Sequence, residues 1–189
     1  VELVLNTPAI YGLGGANDVA SIKADSLVWN GVSNGSGVSA SAPPITAGGP
    51  GTGLGALQID AETILFGYDA NSRPNASPMN RDAIGFSSVT LQASDQITAN
   101  SDGTLTVGQS LNASGNPVGG ALNMTTPLIN LQNGATLSVA AGGAITVAAP
   151  AGAAPANTAP VDNVGGALSF SGASIALNTA VAMPSGQLT

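Results

Sequence analysis

GALQIDAETILF, residues 55–66, sets Leu57 and Ile59 one residue apart, leaves four residues, and then sets Ile64 and Phe66 one residue apart. The same figure returns without gaps in GALNMTTPLINL (120–131), in GALSFSGASIAL (166–177) and, more loosely, in DVASIKADSLVW (18–29). Apolar residues at period two mark strands, and a gap of four or five small or polar residues marks a corner between them. Further pairs follow at starts seven or eight residues apart: Val89 and Leu91, Ile97 and Ala99, Leu105 and Val107. SVTLQASDQITA (88–99) lies in the same way under TLSVAAGGAITV (136–147). Three such sides make a coil of about 23 residues, within the range of solenoid repeats.

The repeat predicts an all-β chain, a right-handed three-sided parallel β-helix with loop excursions, forming one segment over residues 1–189. The inward column expected from the alignment is Ile22, Leu27, Trp29, Leu57, Ile59, Ile64, Phe66, Leu122, Met124, Ile129, Leu131, Leu168, Phe170, Ile175 and Leu177. Rungs would stack about 4.8 Å apart. The Gly, Ala, Ser, Thr, Asn and Asp between pairs tolerate tight corners. Three Pro- and Gly-rich stretches break the spacing, and they predict surface loops over 33–53, 69–85 and 148–163. A β-sandwich or antiparallel barrel is the alternative, since both also alternate short strands with Gly-rich turns. Asp102-Gly103 and Asn133-Gly134 fit either a corner or a hairpin.

Only 7% of the 189 residues are charged, against about 25% in ordinary domains. The polar surface must therefore be built from hydroxyls and amides. Lys23, Arg73 and Arg81 are the only cations, and the net charge of -7 argues against binding a nucleic-acid backbone. No apolar run reaches the length of a membrane span, and the start at Val1 has neither a basic n-region nor an h-region. The expectation is a processed chain or a window in a longer one.

LVLNTPAIYGLGG at the start, the ADSLVW and AETILF figures and SVTLQASDQITANSDGTLTVGQSL resemble the repeat region of filamentous-haemagglutinin-like exoproteins of the two-partner-secretion route. The resemblance implies a secreted, extracellular fibre on the bacterial outer cell surface. It implies a structural and adhesive stalk that mediates attachment or biofilm formation. The partners implied are a host or neighbouring-cell surface with its glycans and an outer-membrane secretion partner.

Chemistry is sparsely encoded. Without His or Cys the chain lacks the triads of hydrolases and the common zinc sites. No cofactor, metal or catalytic residue is expected, and the chain reads as a non-enzyme. Asp60 and Glu62, with Arg73, are the one combination that could act on polysaccharide. Against it, the repeats carry Thr125-Thr126, Ser171-Gly172 and Lys23-Ala24 where Asp60-Ala61 stands, so the acids read as corner residues. Asp102 reads as a turn, Gly12 to Gly15 (GLGG) as a corner, and Trp29, Phe66, Leu131 and Leu177 as core stacking rather than a ligand platform. The contact surface expected is the 69–85 loop with Tyr68, Arg73 and Arg81. A second function class, a self-assembling filament subunit, follows from open rung ends that associate end to end.

Overall fold

The computed structural model describes residues 1–31, 41–69, 78–153 and 165–189. The described chain contains strands and no helix. In order they are β1 (Glu2–Leu5), β2 (Ala9–Tyr11), β3 (Val19–Lys23), β4 (Ser26–Trp29), β5 (Gly55–Phe66), β6 (Met79–Ile84), β7 (Phe86–Ala99), β8 (Gly103–Gly108) and β9 (Ser110–Leu111). Then follow β10 (Pro117–Val118), β11 (Ala121–Thr125), β12 (Leu128–Leu131), β13 (Thr136–Ala141), β14 (Ala144–Ala148), β15 (Ala167–Ser171), β16 (Ser174–Asn178), β17 (Ala180–Ala182) and β18 (Gln187–Leu188).

Ten strands form one sheet and six another. Every pairing within these two sheets is parallel, which is not the pairing of an antiparallel sandwich or barrel. The antiparallel pairings described are the small β9–β10 ribbon and one bridge between Gly119 and Gly142.

Register turns the sequence repeat into columns of like residues. Ala20, Leu57, Val89, Leu122, Ile145 and Ile175 are successive partners in the ten-stranded sheet. So are Leu27, Ile64, Ile97 and Ile129, and beside them Trp29, Phe66, Ala99 and Leu131. The six-stranded sheet aligns Met79, Gly103, Leu137 and Leu168. Most of these side chains are buried in one apolar cluster. β5 and β7 each run on past a corner, where their mutual register slips between Ala61 and Thr63. A strand that bends there serves two columns.

The alignment of 18–29, 55–66 and 120–131 agrees with the observed register position by position: Ile22 pairs Ile59 and Trp29 pairs Phe66, while Met124 reaches Ile59 through Leu91. The fourth repeat does not. Leu168 and Phe170 lie in the six-stranded sheet against Leu137 and Val139, and Ile175 and Leu177 continue the columns of Leu57 and Ile59. That repeat is displaced by one side, because every side carries the same alternation and the same corners. Leu177 is therefore not in the Trp29 column, and Ile175 is 48% exposed rather than core.

The loop expected over 69–85 is corrected at its end, where Met79–Ile84 is strand β6. Its alternation is hidden because the inward position between Met79 and Ala83 is filled by a cation, Arg81. Residues 41–53 carry turns and no strand, while 33–40 lie outside the described residues. Ala148 closes β14, so the third excursion starts one residue later than expected, and 154–163 also lie outside the described residues. The described chain has no strand between β4 and β5 or between β14 and β15. In keeping with this, β2 pairs directly with β6, and β12 with β17.

Candidate functional site

The outer face of the six-stranded sheet carries a well-formed cavity. Alternation sends Met79, Arg81 and Ala83 inward and leaves Asn80 and Asp82 outward; on β8, Leu105 and Val107 point in and Thr104 and Thr106 point out. Parallel pairing places Asn80 beside Thr104 and Asp82 beside Thr106. Thr104 donates its hydroxyl to Asn80 Oδ1 at 3.1 Å, across 24 residues of sequence, a separation close to the expected coil.

Two walls rise from this floor. One is the 41–53 segment, fastened from below: the Gly12 carbonyl accepts N–H bonds from Gly51 and Gly53 at 2.8 and 3.1 Å, and the Tyr11 hydroxyl donates to the Pro43 carbonyl at 2.6 Å. These bonds need close backbone approach. A Cβ on Gly12 would stand 2.3 Å from the Gly85 carbonyl oxygen, and Gly85 itself has φ +88°. The expected GLGG corner is thus a junction of three backbone segments. The other wall is the β9–β10 ribbon, whose turn is held by Asn112 Oδ1 accepting the N–H groups of Ser114 and Asn116 at 2.9 and 3.0 Å.

Between the walls lies a cavity of about 650 Å³, lined by Tyr11, Pro43, Ile45, Asp82, Gln109, Ser110 and Asn112 among others. A second cavity, of about 380 Å³, adjoins it over Asn80, Thr104 and Thr106. Ala42 and Asp82 line both, so the two form one trough with Asp82 at the junction. Burial pushes the Asp82 carboxyl above the usual carboxylate range, while its hydrogen bond with Thr106 pulls the other way. Burial also raises Tyr11, and the Asp82 charge adds to this. Among the described residues, no Lys or Arg lines the trough.

Of the residues expected to form a contact surface, Arg81 does not reach the surface. Arg81 is fully buried: Nε donates to the Trp29 carbonyl at 2.5 Å, Nη1 to the Met79 carbonyl at 3.1 Å, and the guanidinium lies 5.5 Å from the Phe66 ring centre. Its expected place on a surface is a misreading, since β6 turns that position inward. Burial lowers its pKa to about 9. Tyr68 is half-buried, lines a separate cavity of about 320 Å³, and exchanges backbone hydrogen bonds with the Asn100 side chain. Arg73 lies outside the described residues.

Of the acid pair, Asp60 faces Lys23 at 3.7 Å and accepts from Gln58, and Glu62 is exposed at the corner. Asp102 lies just before β8, and its carboxylate accepts the Thr136 N–H at 2.8 Å. Trp29 and Phe66 pack together in the core, their rings tilted by 45° with centres 6.4 Å apart. Among the described residues no group of three or more His, Cys, Asp or Glu comes together to hold a metal. The trough residues Asn80, Asp82, Thr104 and Thr106 escaped sequence reading. The one available signal was the alternation in MNRDAI, masked by its inward arginine.

The chain matches no protein-family model, no curated protein and no solved structure.

Proposed function

We propose that the chain is a non-enzymatic structural and adhesive segment of a secreted bacterial surface fibre, of the filamentous-haemagglutinin-like kind, folded as a right-handed three-sided parallel β-helix. The observation that supports this best is the in-register stacking of parallel strands around an apolar cluster, with mostly uncharged polar side chains on the outer faces. Such a stack gains stability rung by rung from nearest neighbours and needs no metal, disulfide or cofactor. It suits a chain that crosses a membrane unfolded and folds outside. Its excursions and ribbon stand on a rigid frame, where contact surfaces are best placed.

Display of the chain on a non-adherent bacterium tests the proposal. Attachment to host cells or biofilm growth should rise over cells displaying a scrambled sequence of the same composition. Equal attachment would sink the adhesive reading.

A second reading, end-to-end assembly, draws on Val19, Ile175 and Leu188, which are 59, 48 and 48% exposed on strands that pair along one edge alone among the described residues. An open edge accepts a further strand, from the same chain or from another copy. Analytical ultracentrifugation decides between them: concentration-dependent growth of the particle would favour assembly, and a constant monomer would dismiss it.

A further inference from the structure

The trough over the six-stranded sheet has the chemistry of a sugar site. Side chains on one face of a strand recur about every 6.8 Å, and neighbouring strands lie about 4.8 Å apart. Asn80 and Asp82 on β6, with Thr104 and Thr106 on β8, therefore form a small lattice of amide, carboxylate and hydroxyl groups. That lattice suits hydroxyls spread around and between pyranose rings. Among the described residues no cation faces the half-buried Asp82 carboxylate, and beyond its bond with Thr106 it has acceptor positions left for further donors. Two adjacent sugar hydroxyls satisfy it without bringing in charge.

The groups beside Asp82 are Tyr11 from β2 and Thr106 from β8, and neither wall, 41–53 or 109–118, contains a charged residue. Arg81, next in sequence, points to the opposite face of the sheet. Among the described residues, an acidic sugar would meet a carboxylate and no positive counterpart. Tyr11 and Pro43 add apolar surface at one end for the C–H face of a ring, and the hydroxyl bond between Tyr11 and the Pro43 carbonyl holds that surface in place. The walls are anchored by their own backbone bonds, so little ordering is left for a ligand to impose.

We infer that this trough binds an uncharged oligosaccharide, with Asp82 and Thr106 holding neighbouring hydroxyls and Tyr11 and Pro43 meeting the apolar face of a ring. The inference deepens the adhesive reading and takes from it the setting of a cell-surface glycan. Binding should weaken on acidification, as the carboxylate takes up a proton and loses its second acceptor role.

The test is titration of the chain with neutral hexose and N-acetylhexosamine oligomers, beside uronate-containing and sulfated oligomers. Saturable binding of a neutral oligomer is expected, weakened about tenfold or more in Asp82→Ala and in Thr106→Val. Circular dichroism confirms that each variant is folded, and Gln92→Ala, exposed on the other large sheet, should bind as the parent does. Preference for the acidic oligomers, or affinity unchanged in both trough variants, would overturn the assignment. So would failure to bind any oligomer. If displaying cells still attach in that last case, the trough assignment alone is lost and the adhesive reading survives.

Discussion

Asp82 costs the fold stability at neutral pH. Its carboxyl is held above the usual range by burial, so the folded chain binds that proton more tightly than the unfolded chain. The resulting stabilisation is complete below the ordinary aspartate pKa and is lost as pH rises through the raised folded value. Asp82→Asn should therefore melt higher than the parent at pH 7 and show no such gain at pH 3, as read by thermal denaturation. Arg81 is the mirror case inside the core. It is a buried cation whose nearest acceptors are two carbonyls, and its Nη2 has no hydrogen-bond partner. The Trp29 carbonyl also accepts the Gly67 N–H at 3.2 Å, so losing the guanidinium does not orphan it. Arg81→Met, which fills similar space without charge, should melt at or above the parent temperature. Arg81→Ala should lose about 2–5 kcal/mol through the cavity it leaves. A loss of similar size in both variants would show that the guanidinium itself holds the fold.

At the scale of elements, each strand depends on the strands before and after it in register. Ile129 on β12 lies between Ile97 on β7 and Val181 on β17, and is buried. Ile129→Asp would bury an unpaired charge in that column, and a loss above about 3 kcal/mol is expected in chemical denaturation. A near-parental midpoint would contradict the register. The β9–β10 ribbon is different in kind: its outward residues are exposed, and its turn is closed by Asn112 rather than by core contacts. Asn112→Ala should leave the melting temperature within about 2 °C of the parent, since surface changes of this kind stay near 0.5 kcal/mol. Corners explain why Asn133-Gly134 makes no hairpin. Both residues have positive φ, 56° and 69°, and they carry the chain from β12 in one large sheet to β13 in the other.

For the whole molecule, protection should follow position in the stack. β7 is paired on both edges over 88–92 and 97–99 and its inward side chains are covered, whereas β3 and β16 are exposed at most positions. Hydrogen exchange should be slowest in β5, β7, β8 and β11, and faster toward β1–β3 and β16–β18. Uniform exchange rates would indicate one cooperative unit rather than a chain of neighbours.

Reading the residues alone established a great deal of this arrangement. Period-two alternation identified the strands, small residues identified the corners, and three of four repeats aligned in the register that the strands adopt, as Leu27, Ile64 and Ile129 illustrate. Those features are local, written in the spacing of neighbours. Which side each strand joins was not local: Leu168 and Phe170 carry the same pattern as Leu57 and Ile59 and yet pair in the other sheet. The inward turn of Arg81 and the trough around Asp82 were equally hidden. Both depend on parallel stacking that sets residues 24 or more positions apart side by side, and on where the 41–53 excursion comes to rest. Alternation specifies a strand and its two faces, but only the folded stack decides what each face meets.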